Sequence, residues 1–174
     1  MSEAATDRDP AVQELLDKQA IREVMMRYCR GLDRMDAELI NSVYHPDAFD
    51  DHGGRTFSGG DLGKSILDWT RELNVAMGSH HITNQTIRVD GDAAASESYY
   101  SGFMLECRDS EQRTIQMVGR YLDHLERRNG EWRISRRVVV PEMVRYLPSG
   151  PGEPHWHLDA RQDPDPSYAL LAEQ

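Results

Sequence analysis

The chain has 174 residues, a formal net charge of -10 and a mean hydropathy of -0.69, and 39% of its residues are hydrophobic. At about 150 residues per domain, this length predicts one domain with tails rather than two domains. The acidic balance argues against nucleic acid and membrane surfaces as partners, because both are bound through Lys and Arg side chains. No apolar run approaches the roughly 20 residues that span a bilayer. The polar, acidic N-terminus differs from a signal peptide, so we expect a cytoplasmic protein.

Two helices are predicted at the start of the chain. Asp9 and Pro10 supply an N-cap and a first-turn proline. An apolar stripe with a spacing of four residues then continues to about Gly31–Asp33, which predicts an amphipathic helix. Asp36 is placed to cap a shorter second helix that ends near Tyr44.

A hairpin and a third helix are predicted next. Residues 47–60 have a turn composition between two short apolar segments, which predicts a small hairpin. This segment holds an acidic cluster that lacks the spacing of a calcium loop and is interpreted as a solvated surface: Asp47, Asp50, Asp51 and His52. Ser58 or Asp61 then caps a helix whose apolar stripe includes Ile66 and Trp69.

From His80 onward the residue pattern changes from helical to strand-like. Four segments rich in Thr, Val, Ile and Tyr are separated by short turn sequences: residues 79–89, 94–107, 113–126 and 131–143. The connections are too short for crossover helices, so adjacent strands are predicted to be antiparallel. This order indicates an α+β domain, a conical barrel of a curved antiparallel sheet closed by the three N-terminal helices.

The domain boundaries follow from this layout. We expect the α+β domain over residues 10–147, preceded by a flexible N-terminus at residues 1–9. Residues 148–174 contain five of the eight prolines and no periodicity, which predicts an irregular tail that lies over the body or over a neighbouring subunit.

Several residues could carry chemistry. Asp33 lies at the end of the first helix, and Tyr28 belongs to the apolar stripe of that helix. His80 and Asn84 share one face of a predicted strand, while His81 points to the other face. From the residues alone, a helix cap, a core aromatic and a structural histidine account for these positions better than catalysis does.

Other kinds of chemistry have no support in the sequence. The dinucleotide-binding, phosphate-loop and serine-hydrolase motifs are all absent. Cys29 and Cys107 lie far apart, which argues against a disulfide framework and against a cysteine zinc site. His155 and His157 could chelate an ion together, but they lie in the proline-rich tail. We therefore expect no metal and no cofactor.

A resemblance to a known family is carried by three blocks in order: Tyr28-Cys29-Arg30-Gly31-Leu32-Asp33, His80-His81-Ile82-Thr83-Asn84, and Gly119-Arg120-Tyr121-Leu122-Asp123 leading to Gly130-Glu131-Trp132-Arg133-Ile134. Over residues 10–145 the chain resembles the SnoaL-like branch of the nuclear-transport-factor-2-like superfamily. This branch includes relatives of scytalone dehydratase, bile-acid 7α-dehydratase and hexachlorocyclohexane dehydrochlorinase. The resemblance implies the conical α+β fold, in agreement with the pattern of elements.

The resemblance also implies a site inside the cone. Asp33 and His80 match the dyad of the dehydratase-like members, with His80 as the base and Asp33 as its orienting partner. Tyr28 matches a pocket tyrosine that would donate a hydrogen bond to a departing hydroxyl. The expected substrate-binding residues are Met25, Tyr44, Phe49, Trp69, Asn84, Tyr99, Phe103, Met117 and Tyr121. An arginine that the bile-acid enzyme uses on its last strand aligns with Pro141, and Arg145 lies nearby.

The implied function is a cofactor-independent, dehydratase-type lyase that acts on a hydrophobic cyclic or aromatic small molecule, in the catabolism of aromatic compounds. A carbon–carbon lyase that releases formaldehyde from a diaryl lignin-type substrate, or an isomerase or cyclase, would use similar groups. A noncatalytic binding or structural subunit is the alternative of another class. An enclosed cavity with His80 near Asp33 would favour an enzyme.

The resemblance bears on assembly as well. Relatives form dimers or trimers, and Val138–Val140 place apolar groups on both faces of the last long strand. Exposed apolar surface of this kind marks an interface, so we expect a homo-oligomer.

Overall fold

The computed structural model describes residues 9–108, 111–148 and 165–172. The elements, in chain order, are α1 (Pro10–Arg34), α2 (Ala37–Asn41), β1 (Tyr44–Asp51), β2 (Thr56–Ser58), α3 (Leu62–Glu72), β3 (Val75–Asp90), β4 (Ala93–Arg108), β5 (Glu111–Arg128), β6 (Glu131–Pro148) and α4 (Pro166–Ala172). None of the described helices is long and apolar enough to cross a membrane.

Local capping sets the bounds of the helices, as the sequence predicted. The Asp9 carboxylate accepts a hydrogen bond from the Ala11 backbone N–H at 2.8 Å and caps α1. Met35 ends α1 in a left-handed conformation with φ 54°. Asp36 and Asp61 cap α2 and α3 through backbone N–H groups three residues further on. Asp61, and not Ser58, is therefore the cap of α3.

The six strands form one curled sheet in the order β2-β1-β6-β5-β4-β3. β3 to β6 make an antiparallel meander, but β1 pairs with β6 in parallel. The prediction of a purely antiparallel sheet is therefore wrong at this pairing, and the sheet is mixed. Short connections force an antiparallel arrangement only between strands that are consecutive in sequence, whereas α3 and three long strands separate β1 from β6.

Helix α1 packs against the sheet at both of its ends. Near its start, the Asp17 carboxylate accepts hydrogen bonds from Trp132 Nε1 at 3.0 Å and from Arg127 Nη1 at 2.6 Å. Its middle buries Ile21 and Val24 completely in the core. Its last turn contacts β3 through Asp33. This attachment aims the C-terminal end of α1 at the edge strand of the sheet.

A bulge in β3 changes which side chains face inward. The pairing of β3 with β4 shifts register between Ile82 and Gln85. Beyond the shift, Gln85 faces inward and donates hydrogen bonds to Ser96 and Ser98 at 3.3 and 3.0 Å. Asn84 is left exposed.

The predicted irregular tail, residues 148–174, contains regular structure at two places. Its first residue, Pro148, is the last residue of β6, and residues 166–172 form the helix α4. Tyr168 of α4 donates a hydrogen bond from its hydroxyl to Asp36 at 2.5 Å, and Asp165 pairs with Arg34 at 2.6 Å. These contacts hold α4 against the end of α1. Residues 1–8 and 149–164, with His155 and His157, lie outside the described residues, and the expected homo-oligomer stays a prediction.

Candidate active site

A cavity of about 430 Å³ lies between the helices and the inner face of the sheet. Residues from α1, α3 and every strand from β3 to β6 line it, together with the turn between β1 and β2. Most of the wall is apolar and includes Leu32, Ile66, Trp69, Met104, Met117 and Val139. Its volume falls within the range of small-molecule sites, about 300 to 1,000 Å³.

Asp33 and His80 meet at the edge of this cavity. Asp33 Oδ1 lies 2.6 Å from His80 Nδ1, and both carboxylate oxygens accept from the His80 backbone N–H at 3.1 Å. The side chains are 16% and 11% exposed, respectively. The carboxylate thus fixes the ring through Nδ1, and in the described part of the chain no hydrogen bond engages Nε2.

Two glycines lie beside the His80 ring. Gly102 lies directly opposite His80 in the register of β3 and β4, and Gly78 precedes it by two residues on the same face. A Cβ atom at either position would lie 3.5 Å from a ring carbon. That distance is ordinary van der Waals contact, so the imidazole packs closely against this part of the sheet.

His80 and Asp33 also border a second space, a groove of about 610 Å³ between α1 and β3. Both apolar and charged side chains line this groove, among them Met25, Met26, Arg30 and Arg34. The dyad thus lies between a groove of mixed polarity and a mostly apolar cavity. We place the candidate site in this cavity because its wall is mostly apolar, and apolar surroundings strengthen electrostatic interactions with a bound substrate.

Tyr100 supplies a second polar group to the cavity wall. Its ring stacks on Tyr121 at a centroid distance of 4.5 Å, and both rings line the cavity. The buried Tyr100 hydroxyl has no hydrogen-bond partner among the described residues. Burial raises the pKa of Tyr100, so this hydroxyl stays protonated and keeps one hydrogen bond to donate.

Three of the predicted substrate-binding residues, Trp69, Met117 and Tyr121, line the cavity beside His80. Three other predicted residues do not: Tyr28, Met25 and Tyr44. These side chains are packed around the fully buried Arg137. The guanidinium carbon lies 4.1 Å from the centre of the Tyr28 ring, and Nη2 donates to Met25 Sδ at 3.1 Å.

The prediction of Tyr28 as the acid of the site is therefore not supported. Its hydroxyl is fully buried in the core, away from the cavity wall, and has no partner among the described residues. Burial raises its pKa well above the usual range, which further opposes proton donation. A buried arginine attracts aromatic rings as well as carboxylates, and here the Tyr28 ring packs against the Arg137 guanidinium instead of lining the cavity.

Four further predicted residues point away from the cavity: Phe49, Asn84, Tyr99 and Phe103. Alternation explains Tyr99 and Phe103, because the even-numbered residues of β4 face inward. Glu97 lies on the outward face of β4 and Glu106 on the inward face, so charge alone does not distinguish Tyr100 from Tyr99 in the sequence. The bulge in β3 exposes Asn84. Pro141 lines the cavity, whereas Arg145 is exposed and does not line it.

Comparisons with known proteins agree with this architecture. The SnoaL-like domain family matches residues 13–138. An uncharacterized protein of Mycobacterium tuberculosis is 30% identical over 131 residues, which cover 74% of this chain and 87% of that protein.

Solved structures share the fold at low sequence identity. A type 2 hexachlorocyclohexane dehydrochlorinase superposes with a TM-score of 0.71 at 18% identity, covering 82% of this chain and 99% of that chain. A proposed scytalone dehydratase from Novosphingobium aromaticivorans superposes with a TM-score of 0.68 at 20% identity, covering 82% and 98%.

Proposed function

The chain belongs to the SnoaL-like domain family, and we propose that it is a cofactor-independent lyase that removes water from a hydrophobic cyclic or aromatic small molecule. One observation carries the proposal. His80 is held through Nδ1 by Asp33 on the wall of a mostly apolar cavity, with Nε2 unengaged in the described part of the chain. This is the arrangement that a general base requires.

In the proposed reaction, His80 Nε2 removes a proton from a carbon of the substrate. Asp33 keeps the proton of the neutral ring on Nδ1 and stabilises the imidazolium that forms. The Tyr100 hydroxyl donates a hydrogen bond to the oxygen on which negative charge develops. The substrate electrons then form a carbon–carbon double bond and expel the hydroxyl group.

The cavity supports a small, apolar substrate. Its volume of about 430 Å³ lies at the lower end of the range for ligand sites, which suits a molecule of one or two rings. Trp69, Met104 and Met117 contribute aromatic and flexible apolar surface that can adapt to a ring. The walls thus favour binding by apolar contact, and the polar groups select the reacting end.

Two alternatives use the same cavity. A carbon–carbon lyase would have His80 remove the proton of a hydroxyl group and release a small aldehyde. A noncatalytic binding protein would need the cavity but would have no use for a histidine fixed by a carboxylate. The dyad therefore favours an enzyme over a binding protein, and the reaction products must distinguish the two lyases.

The test is a product assay with purified protein. The panel contains one-ring and two-ring β-hydroxy ketones, chlorinated cyclohexanes and diaryl propanediols, and mass spectrometry follows the loss of water, hydrogen chloride or formaldehyde. We expect loss of water, reduced at least about a hundredfold by His80→Gln. His81→Gln is the matched control, because His81 is exposed and lies on the opposite face of β3.

The outcomes separate the alternatives. Release of formaldehyde without loss of water would replace the dehydratase by the carbon–carbon lyase. Tight binding of several panel members without turnover would favour the binding protein. Equal activity of His80→Gln and His81→Gln would show that the dyad is not the base.

A further inference from the structure

A second histidine–aspartate pair borders the same cavity. Asp50 lies near the end of β1, and His52 begins the turn to β2. Asp50 is fully buried, its Oδ1 atom lies 3.0 Å from His52 Nδ1, and the His52 side chain is 15% exposed on the cavity wall. The interpretation of this segment as a solvated surface is therefore wrong for these two residues.

Asp50 is held as an anion from the side of the core. Its Oδ2 atom accepts a hydrogen bond from the Tyr44 hydroxyl at 2.5 Å, and that hydroxyl lies 3.3 Å from Arg137 Nη1. Burial by itself would raise the pKa of Asp50, but the hydrogen bond and charge of His52, together with Arg137, outweigh it and lower the pKa. The carboxylate is thus available to orient His52 and to stabilise its imidazolium.

Packing fixes the position of the His52 ring. It meets Trp69 and Phe57 edge to face, at centroid distances of 5.4 and 6.1 Å. Gly53 follows in a left-handed conformation with φ 73°, and a Cβ atom there would lie 3.0 Å from Pro141. The turn therefore packs closely against β6. This packing and the two aromatic contacts restrict the movement of the His52 ring.

The two histidines reach the cavity from opposite ends of the sheet. β3 is one edge strand, and β1 lies next to the other edge, so the curl of the sheet brings His80 and His52 to one cavity. Each ring is bound at Nδ1 by an aspartate, and no hydrogen bond to Nε2 of either ring occurs in residues 9–108, 111–148 and 165–172. Two rings held in this way, at separate places, suit two proton transfers at different atoms of one substrate.

We propose that His52 is a second catalytic residue, the acid that protonates the departing oxygen while His80 removes the proton from carbon. This inference rests on the proposed dehydration. The electron pair of the broken carbon–hydrogen bond forms the double bond, and the pair of the carbon–oxygen bond stays on oxygen. That oxygen takes the Nε2 proton of the His52 imidazolium and leaves as water. His80 ends protonated and His52 neutral, and proton exchange with solvent restores both.

The leaving group provides the test. A bicyclic β-hydroxy ketone and its β-chloro analogue are compared, because chloride departs without a proton and hydroxide does not. The variants are His52→Phe, which keeps an aromatic ring against Trp69 and Phe57, and His52→Gln, which can still donate to Asp50. His81→Phe is the control, and rates without enzyme are subtracted.

We expect both His52 variants to slow the loss of water at least about a hundredfold and to leave the loss of chloride nearly unchanged. His80→Gln should slow both reactions, because both need the base. Equal slowing of both reactions by the His52 variants would assign His52 a structural role, and no slowing would exclude it from the reaction. Either result overturns the inference while leaving the base intact. If His80→Gln retains both activities, the proposed function itself fails.

A second measurement holds even if the wild type converts neither ketone. Ring nitrogen signals of the histidines are followed by NMR while 1-naphthol, a two-ring phenol, is added. We expect the His52 and His80 signals to shift together and the His81 signal to stay in place. A shift of His80 alone would show that His52 does not face the ligand, which overturns the inference.

Discussion

Arg137 and His80 both lie beside carboxylates, but their surroundings leave them with opposite capacities. Arg137 is completely buried and donates to Asp123 at 2.7 and 2.8 Å, to Met25 and to the Tyr44 hydroxyl. The ring of His80 is hydrogen-bonded through Nδ1 alone in the described part of the chain, and it faces a cavity. All three guanidinium nitrogens of Arg137 donate hydrogen bonds to protein atoms, whereas the dyad keeps one nitrogen for a substrate.

This difference shows how polar groups with a structural role can be distinguished from polar groups with a catalytic role in one fold. A buried charge requires hydrogen-bond partners, and here the rings of Tyr28 and Tyr121 also lie against the guanidinium, at 4.1 and 4.4 Å from its carbon. A catalytic group instead needs rigid support on one side and an open position on the other. Polar residues near a dyad therefore belong to the site only if they have unmet hydrogen-bonding capacity toward the cavity.

The largest effect is expected from breaking the buried pair of Arg137 and Asp123. Arg137→Met should destabilise the protein by about 3 to 5 kcal/mol, because it leaves the Asp123 carboxylate buried without its partner. Unfolding in urea, followed by circular dichroism, measures the change. The double variant Arg137→Met with Asp123→Leu should recover a large part of the loss. A single variant as stable as the wild type would show that the pair is not buried in solution.

The dyad should show the reverse behaviour, with a loss of activity at little cost in stability. Asp33→Asn should reduce turnover roughly tenfold to a hundredfold, because an amide neither stabilises the imidazolium nor secures the tautomer. Its free energy of unfolding should change by less than about 1 kcal/mol. Asp90→Asn, an exposed position on the same strand as His80, is the control. A large loss of stability without a loss of turnover would make Asp33 a structural residue.

A pair of tyrosines sharpens the comparison further. Tyr100→Phe should slow turnover about tenfold, because its ring lines the cavity and its buried hydroxyl has no protein partner among the described residues. Tyr28→Phe should leave turnover unchanged and alter stability by less than about 1 kcal/mol, because its buried hydroxyl is also unpartnered there. Steady-state kinetics of both variants decide the matter. The opposite ranking would place the reacting substrate next to Arg137.

The smallest expected effect is a change in the free energy of unfolding at acidic pH. The folded protein lowers the pKa of Asp50, so the resulting stability is complete above the ordinary value of about 3.9 and is lost as the pH falls through the folded value. Asp50→Asn lacks this contribution. The difference in unfolding free energy between wild type and variant should therefore shrink from neutral pH down to about 3. A difference that stays constant or grows would mean that Asp50 is not stabilised as an anion.

Much of the fold could be predicted from the sequence because its determinants are local. Asp9, Asp36 and Asp61 cap their helices through backbone groups two or three residues away, which a pattern of neighbouring residues reveals. The strands of the meander are consecutive and joined by short turns, so their antiparallel pairing also follows from the chain order. The meeting of Asp33 with His80 came from the family resemblance and not from spacing.

Tertiary structure alone decided which polar side chains face the cavity. The parallel pairing of β1 with β6 joins residues some 90 positions apart and buries Asp50 beside Arg137, which no local pattern encodes. A one-residue bulge in β3 exposes Asn84, since a shift by one residue moves every later side chain to the other face. Caps and turns depend on hydrogen bonds between near neighbours, whereas burial and facing depend on contacts that exist only once distant segments have packed.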